Sequence, residues 1–247
     1  MHWSCCVCKP GSTGEGVMAE NEVKLLGSWP SPFVMRPRIA FNLKSIDYEF
    51  VEETMAPKSE LLLRSNPVHK KIPVLIHGDK SVCESLIIVE YIDEAWSSSS
   101  APSILPSDPY DRATHRFWAA YIDEKWFPSL KGLGFSEEEE AQKAVIGQLE
   151  EGLALLEEAF GKMSGGKAFF GGDEIGYVDI ALGCFLGWVR VMESTQGVKL
   201  IDESKTPGLA KWSENFCGHE AVKGVMPETE KLAEFRKVIL ARTRGGK

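Results

Sequence analysis

The sequence lacks the features that mark membrane-spanning, nucleic-acid-binding or disulfide-stabilised proteins. No apolar run in its 247 residues approaches the roughly 20 that cross a bilayer as a helix. The formal net charge of −8 argues against nucleic acid or an anionic membrane surface as a partner. Cys83, Cys184 and Cys217 show neither zinc nor disulfide spacing. Their apolar surroundings predict core thiols in a reducing compartment such as the cytosol.

Residues 1–17 differ in composition from the rest of the chain. They contain Cys5-Cys6-Val7-Cys8 and then a stretch rich in glycine and serine, without the long apolar core of a secretory signal. The cysteines could bind a metal or carry a lipid, but the fourth ligand of a zinc site is missing. The composition favours a disordered extension with no role in the chemistry, and Met18-Ala19-Glu20 has the character of a natural start.

Residues 18–97 alternate short strands with helices. Ser31 is placed as a helix N-cap, and Pro32 occupies the first helical position, where a missing N–H is harmless. The predicted order is β-α-β-α-β-β-α. The strands are Val23–Gly27, Tyr48–Val51, Val74–His77 and Ser81–Cys83, and the helices are Phe33–Lys44, Glu60–Arg64 and Ser85–Trp96.

Two motifs beside the last two strands indicate a binding site. Pro73 restricts Ile72 to an extended backbone that can pair with a peptide-like ligand, and Pro73 is a candidate for a cis bond. Glu84 and Ser85 open a helix, where a carboxylate can hold an ammonium group while the hydroxyl and free N–H groups hold a carboxylate. An edge strand followed by an ordinary capped helix would explain the same residues without a ligand.

The second half of the chain reads as entirely helical. Serine and proline mark residues 98–108 as a linker, and residues 109–247 form a second domain. Asp179, near the start of a helix that must be buried, is expected to accept N–H bonds from Gly176 and Tyr177 as a cap. The predicted helices are Tyr110–Leu130, Glu137–Phe160, Tyr177–Met192, Pro207–Phe216 and Glu228–Ala241.

Three sequence blocks resemble a known family in order and spacing. They are Ser31-Pro32-Phe33-Val34-Met35-Arg36, the run from Ser65 to Leu75, and the run from Glu84 to Asp93. With the order of elements, they are similar to the plant tau class of cytosolic glutathione transferases, from about Met18 to the C-terminus. The resemblance implies a thioredoxin-like α/β domain that binds glutathione, followed by an all-α domain that binds the electrophile.

The resemblance implies that Ser31 is the catalytic residue. A free cysteine thiol has a pKa near 8.5, so glutathione carries little thiolate at neutral pH unless the thiolate is stabilised. The Ser31 hydroxyl would donate to that thiolate, and the N-terminus of the following helix would add positive partial charge. Arg36 could add positive potential, or it could be solvated or paired. The competing interpretation makes Ser31 an N-cap only.

The implied glutathione site combines residues that precede the third strand in the sequence with residues that follow it. Lys58 and Lys71 would contact the glycine carboxylate, and Ile72 would supply backbone bonds to the cysteinyl unit. Lys58 is otherwise an ordinary surface residue, and the neighbouring Lys70 leaves the assignment open by one position. The full set is Ser31, Pro32, Phe33, Lys58, Lys71, Ile72, Pro73, Glu84 and Ser85.

The electrophile would lie where the two domains meet, in an apolar pocket. The aromatic candidates are Phe33, Tyr121, Trp126 and Trp188. An aromatic stripe on a helix is more often part of a core than of a pocket, so each of these side chains has a structural alternative.

The predicted activity is conjugation of glutathione to small hydrophobic electrophiles, as in detoxification and stress responses. Glutathione is then a co-substrate, and no cofactor or metal is required. A cytosolic homodimer is expected, without nucleic-acid or membrane partners. The alternative is a non-catalytic carrier, or ligandin, of small apolar or anionic molecules. Thiol–disulfide exchange is disfavoured because the Ser31 position would need a cysteine.

Overall fold

A mixed four-stranded sheet forms the centre of the N-terminal domain in the computed structural model, which describes residues 22–97, 102–135 and 138–245. The predicted extension 1–17 and part of the linker therefore lie outside the described residues. The strands stand in the order β2-β1-β3-β4, with β1 parallel to β2 and antiparallel to β3, and with β3 antiparallel to β4. They are β1 Val23–Gly27, β2 Glu49–Glu52, β3 Val74–His77 and β4 Lys80–Cys83.

Helices cover both faces of this sheet because its side chains alternate between the faces. Leu25 and Leu75 belong to the main core together with residues of α1 (Pro32–Lys44) and α3 (Ser85–Ala95). Leu26, Val74 and Ile76 point the other way and form a smaller cluster with Leu62 of α2 (Glu60–Ser65). The predicted element order is confirmed, and each predicted boundary lies within one residue of the observed one.

The C-terminal domain is helical as predicted, but the predicted helix Tyr110–Leu130 is interrupted. The π-helical turn Ile122–Trp126 separates its two parts. Pro128 has no N–H and crowds the preceding turn, so a regular α-helix cannot run through it unchanged. The helices are α4 Pro109–Tyr121, α5 Phe127–Leu133, α6 Glu139–Met163, α7 Tyr177–Gly183, α8 Leu186–Gln196, α9 Pro207–Gly218, α10 Glu220–Lys223 and α11 Thr229–Gly245.

The predicted helix Tyr177–Met192 is also divided, into α7 and α8. The N–H of Phe185 bonds to the carbonyl of Leu182 at 3.1 Å, which is a tighter turn than the α-helical one. Gly183 ends α7 where Phe216 packs against the backbone, and a Cβ at this position would lie 2.3 Å from the Phe216 ring. The turn thus separates two short buried helices that a continuous apolar pattern does not distinguish.

Asp179 anchors the start of α7. Its side chain is fully buried and accepts hydrogen bonds from the backbone N–H groups of Phe170 (2.8 Å), Gly171 (3.0 Å) and Gly176 (2.8 Å). The indole Nε1–H of Trp212 donates a fourth bond at 2.7 Å. Burial raises the pKa of Asp179 to about 6, and the four donors oppose that rise. The cap with Gly176 is confirmed, whereas Tyr177 donates its N–H to Ile104 at 3.0 Å instead.

The three described cysteines differ in how deeply they are buried. Cys184 is buried, and burial raises its thiol pKa to about 11, but Cys83 and Cys217 are only half-buried. The prediction of core thiols is therefore right for Cys184 and too strong for the other two.

Within the described ranges, no helix combines the length and apolar character needed to cross a bilayer.

Candidate active site

The strand register brings the predicted ligand-binding segments to one edge of the sheet. Leu26 of β1 pairs with Val74 of β3, and Val74 pairs with Cys83 of β4. The loop that leads from β1 to Ser31, the Ile72-Pro73 segment and the Glu84-Ser85 segment all adjoin these paired positions. Three motifs that are far apart in the sequence therefore meet at this edge.

Ser31 caps α1 and retains a proton to donate. Its Oγ accepts the N–H of Val34 at 3.4 Å, and its backbone N–H bonds to the carbonyl of Ser28 at 3.1 Å. A hydroxyl carries one donor and two acceptor lone pairs. Among the described residues, nothing accepts the Ser31 hydroxyl proton. The side chain is half-buried, so the capping and thiolate-stabilising interpretations are compatible.

The Ile72-Pro73 bond is cis, as the sequence analysis anticipated. The segment before it is held by Asn66, which is 2% exposed. Asn66 donates through Nδ2 to the carbonyl of Lys71 at 2.9 Å and accepts the N–H of His69 at 3.0 Å. Asn66 thus fixes the backbone beside Ile72, whose own side chain is half-buried.

The three lysines of this region differ in their surroundings. Lys58 donates to the carbonyl of Lys70 at 2.7 Å, so its ammonium group lies against the segment that precedes Ile72. All three side chains are exposed, and Lys70 itself has a positive φ of 54°. The structure therefore brings Lys58 to the predicted site, and Lys71 lies next to Ile72 in sequence.

Glu84 and Ser85 begin α3 in different environments. Glu84 adopts φ 71° and ψ 122°, a conformation that a residue with a Cβ rarely takes and that is often found at functional sites. Its carboxylate is 57% exposed, and the Nε2 atom of His69 lies 3.9 Å away. Ser85 is buried, and its Oγ accepts a bond from Arg36 at 3.1 Å. The Ser85 hydroxyl can still donate its proton.

Arg36 is paired rather than solvated. Its guanidinium is fully buried, and it forms two bonds to the carboxylate of Asp123 at 2.8 and 2.5 Å. It also donates to the carbonyl of Ala181 at 2.8 Å and to the Sγ atom of Cys184 at 3.2 Å. Because Asp123 compensates its charge, Arg36 is not a source of net positive potential at Ser31.

An apolar cavity of about 210 Å³ begins at the residue after Ser31. Two of the four predicted aromatic side chains, Phe33 and Trp188, contribute to its wall. The indole Nε1–H of Trp188 donates to the carbonyl of Pro30 at 2.9 Å, which fixes the ring beside the Ser31 loop. The cavity is lined by Pro32, Phe33, Phe127, Leu130, Lys131, Gly134, Phe135, Trp188, Met192, Arg236, Ile239 and Leu240.

The other two predicted aromatic side chains, Tyr121 and Trp126, do not line this cavity. Trp126 is 2% exposed and packs in the core near Phe185, at a centroid distance of 6.1 Å. Tyr121 contacts Trp118 and lines a separate cleft of about 930 Å³ between α4 and α6. The helical pattern across Tyr121 and Trp126 does not reveal the π turn, which changes the direction of the side chains that follow it.

Comparison with known protein families identifies the family of this chain. Residues 21–94 match the family model described as "Glutathione S-transferase, N-terminal domain", and residues 139–215 match "Glutathione S-transferase, C-terminal domain". The chain is 68% identical over 222 residues to Glutathione S-transferase U17 of Arabidopsis thaliana, covering 90% of this chain and 97% of that protein. The chain belongs to the glutathione S-transferase family.

Other transferases support the assignment to the tau class. Identity is 63% over 220 residues to Glutathione S-transferase U18 of Arabidopsis thaliana, covering 89% of this chain and 96% of that protein. A tau-class glutathione S-transferase from mango, Mangifera indica, superposes with a TM-score of 0.85 at 67% identity, covering 89% of this chain and 99% of that one. Rice GST1, solved in complex with glutathione, superposes with a TM-score of 0.82 at 38% identity, covering 91% of this chain and 98% of that one.

These matches confirm the predicted fold of a thioredoxin-like domain followed by an all-α domain. The sequence analysis did not identify Asn66, whose bonds to His69 and Lys71 are local. It also did not identify Phe127, Asp123 and Arg236, which join the site through long-range packing. Within the described ranges, no group of three or more histidine, cysteine, aspartate or glutamate side chains is arranged to hold a metal ion.

Proposed function

We propose that the chain is a glutathione transferase in which Ser31 stabilises the glutathione thiolate. The observation that carries this proposal is the position of the Ser31 hydroxyl. It lies at the start of α1 with an uncommitted proton, one residue before the wall of an apolar cavity. A donor at the sulfur and an apolar site for the acceptor are the two requirements of thiol conjugation to a hydrophobic electrophile.

Glutathione would lie along the sheet edge between the three converging segments. The extended backbone of Ile72 would pair with the cysteinyl unit, which places the sulfur toward Ser31. Glu84 would hold the ammonium group of the γ-glutamyl end, and Ser85 with the first N–H groups of α3 would hold its carboxylate. Lys58 and Lys71 would contact the glycine carboxylate. Their exposed ammonium groups and the placement of Lys58 against the Lys70 carbonyl support this orientation.

The chemistry then requires little beyond positioning and thiolate stabilisation. The Ser31 hydroxyl donates to the sulfur, and the N-terminus of α1 contributes its partial positive charge, which together favour loss of the thiol proton to solvent. The thiolate attacks an electrophile held against Phe33 and Trp188. For a chloroarene, the C–S bond forms, the C–Cl bond breaks and chloride leaves with the electron pair.

Conjugation of glutathione to 1-chloro-2,4-dinitrobenzene tests this proposal. Ser31→Ala should lower kcat by at least tenfold, about 1.4 kcal/mol in the barrier. Loss of the cap alone should cost about 1 kcal/mol of stability. Ser31→Thr keeps the hydroxyl and is the matched control. Full activity of Ser31→Ala would contradict the proposal, and ligand binding without turnover in the parent protein would favour the carrier.

We also propose a homodimer, in the cytosol, formed by the faces of α3 and α4. Ile87 on α3 and Phe117 on α4 are 57% and 61% exposed, which supports an apolar contact. The carboxylates of Glu90 and Asp93 on α3 are paired within the chain, with Arg116 and Lys44 respectively. The dimer should therefore persist in 0.5 M salt, where the Debye length is only about 4 Å. Sedimentation of wild type, of Phe117→Glu and of the control Val238→Glu would test this.

A further inference from the structure

Two cations lie in the wall of the otherwise apolar cavity beside Ser31. Arg236 comes from α11 and Lys131 from the last turn of α5. The aromatic rings of Phe33, Phe127 and Trp188 form an apolar surface in the same cavity. A charged side chain beside an apolar wall loses part of its hydration, which costs free energy. An oppositely charged ligand group that pairs with it offsets this cost.

Arg236 differs from its neighbours on α11 in having no carboxylate partner among the described residues. Lys231 pairs with Glu228 at 3.1 Å, and Lys237 pairs with Glu234 at 2.6 Å. Arg236 instead donates one Nη2–H to the carbonyl of Gly134 at 2.9 Å. A guanidinium has five N–H donors, so most of its hydrogen-bonding capacity is left for a ligand.

The Gly134 bond also places the Arg236 side chain. It connects α11 to the residue that follows α5, and the ring of Trp29 packs edge-on against Phe235 at 5.5 Å on the same helix. Partial burial lowers the pKa of Arg236. An arginine nevertheless remains charged at any physiological pH. The cavity is thus lined by a cation held through Gly134 and by aromatic rings.

The volume of the cavity accommodates about one ring. A dry cavity of roughly 150 Å³ takes up a benzene molecule, so about 210 Å³ suits a single ring with short substituents. A planar carboxylate matches the guanidinium fork in shape and charge.

We infer that Arg236, with Lys131 beside it, selects aromatic acceptors that carry an acidic group. The inference rests on the proposed function, since it names the acceptor class of the same site. The acidic group does not react, and the displacement at the ring carbon proceeds as for any chloroarene.

The experiment compares 4-chloro-3-nitrobenzoate with 4-chloro-3-nitrobenzamide, which share the ring, the nitro group and the leaving group. Each enzymatic rate is divided by the uncatalysed rate with glutathione, which removes the difference in intrinsic reactivity. Arg236→Gln keeps an N–H donor for Gly134 and removes the charge. It should lower kcat/KM for the benzoate by about tenfold and change that for the benzamide less than about twofold. Arg236→Lys should keep part of the preference.

Lys237→Gln is the matched control, because it removes a charge from the same helix at a residue that does not line the cavity. An equal loss for both acceptors in Arg236→Gln would show a structural role and overturn the inference. The same loss of benzoate selectivity in Lys237→Gln would show a general field effect, which also overturns it.

A binding measurement makes the test independent of turnover. The glutathione conjugates of the two acceptors, prepared chemically, are titrated into the wild type and the variants by calorimetry. Tighter binding of the acidic conjugate, lost in Arg236→Gln, supports the inference even if catalysis is absent. Equal affinities in the wild type overturn it. Conjugation of both acceptors without any Arg236 effect leaves the proposed function intact, whereas selective binding without turnover contradicts the proposed function alone.

Discussion

Arg36 and Asp123 form a bidentate ion pair that connects the two domains. The Nη1 and Nη2 atoms of Arg36 lie 2.8 and 2.5 Å from the two carboxylate oxygens of Asp123, which comes from the π turn after α4. The guanidinium also lies over the rings of Phe33 and Phe185, 5.1 and 5.2 Å from their centroids. Because Arg36 also binds Ser85, the pair positions residues of both predicted subsites.

Removal of both partners of this pair should cost less stability than the two single removals added together. Asp123→Asn leaves the fully buried Arg36 charge uncompensated, and breaking a buried pair typically costs about 3–5 kcal/mol. The Asp123 side chain is 28% exposed, so we expect the low end of that range. The double variant Arg36→Met/Asp123→Leu should lose less than the sum of the single changes. Urea unfolding measures each free energy, and strict additivity would contradict the coupling.

Loss of a glutathione-anchoring side chain should raise KM for glutathione more than it lowers kcat. Glu84→Gln and Lys71→Ala remove contacts that we place away from the sulfur, and such contacts hold the ground and transition states equally. The Lys71→Ala effect should shrink in high salt, because the exposed ion pair is already screened there. Glu94→Gln, an exposed carboxylate on the same helix as Ser85, is the control. Unchanged KM for glutathione in both variants would refute the anchoring assignment.

The elements of the fold that follow from local patterns are predictable from the sequence. The proline and N-cap signals at Ser31 and Pro32, and the short apolar runs of the four strands, depend on residues next to one another. The π turn and the break before α8 are not predictable in this way. Pro128 is a local signal that the preceding turn is distorted, but it does not specify a π turn. The packing of Phe216 on Gly183 is a long-range contact that an apolar pattern does not contain.

The candidate site also combines residues that local sequence signals identify with residues that only long-range packing brings there. The motifs at Ser31, Ile72 and Glu84 are sequence signals, and the strand register alone brings them together. Phe33 is predictable as a neighbour of Ser31, whereas the helical pattern leaves both a core and a pocket position open for Trp126, which is buried. Arg236 follows Ser31 by more than two hundred residues in sequence, and no local signal connects the two.

Asp179 should be a major contributor to stability, with no direct part in catalysis. Asp179→Ala would leave the N–H groups of Phe170, Gly171 and Gly176 and the indole of Trp212 buried without their acceptor. Each buried unsatisfied donor costs about 1–3 kcal/mol, so we expect a loss of at least about 4 kcal/mol. Asp173→Ala, which removes an exposed carboxylate paired with Lys167, should change little. A loss below about 1 kcal/mol in Asp179→Ala would contradict this role.

His115 should make the folded state sensitive to mild acid. The residue is 6% exposed on α4, and no described residue bonds its Nδ1 atom. Burial lowers its pKa, and the nearby Asp111 opposes that change only in part. Below about pH 6.5 an unfolded chain takes up a proton at this histidine that the folded protein resists. The contribution of His115 to stability must therefore fall as the pH decreases through this window, because at this residue the unfolded state then binds more protons.

Unfolding free energies of the wild type and of His115→Leu, measured in urea at pH 7.5, 6.5 and 5.5, test this expectation. The variant should lose less stability than the wild type between pH 6.5 and 5.5, so that the two curves converge or cross on the acid side. His69→Gln is the control, because it removes a histidine whose side chain is 55% exposed. Parallel curves for the wild type and His115→Leu would mean that His115 protonates as readily in the folded state as in the unfolded one.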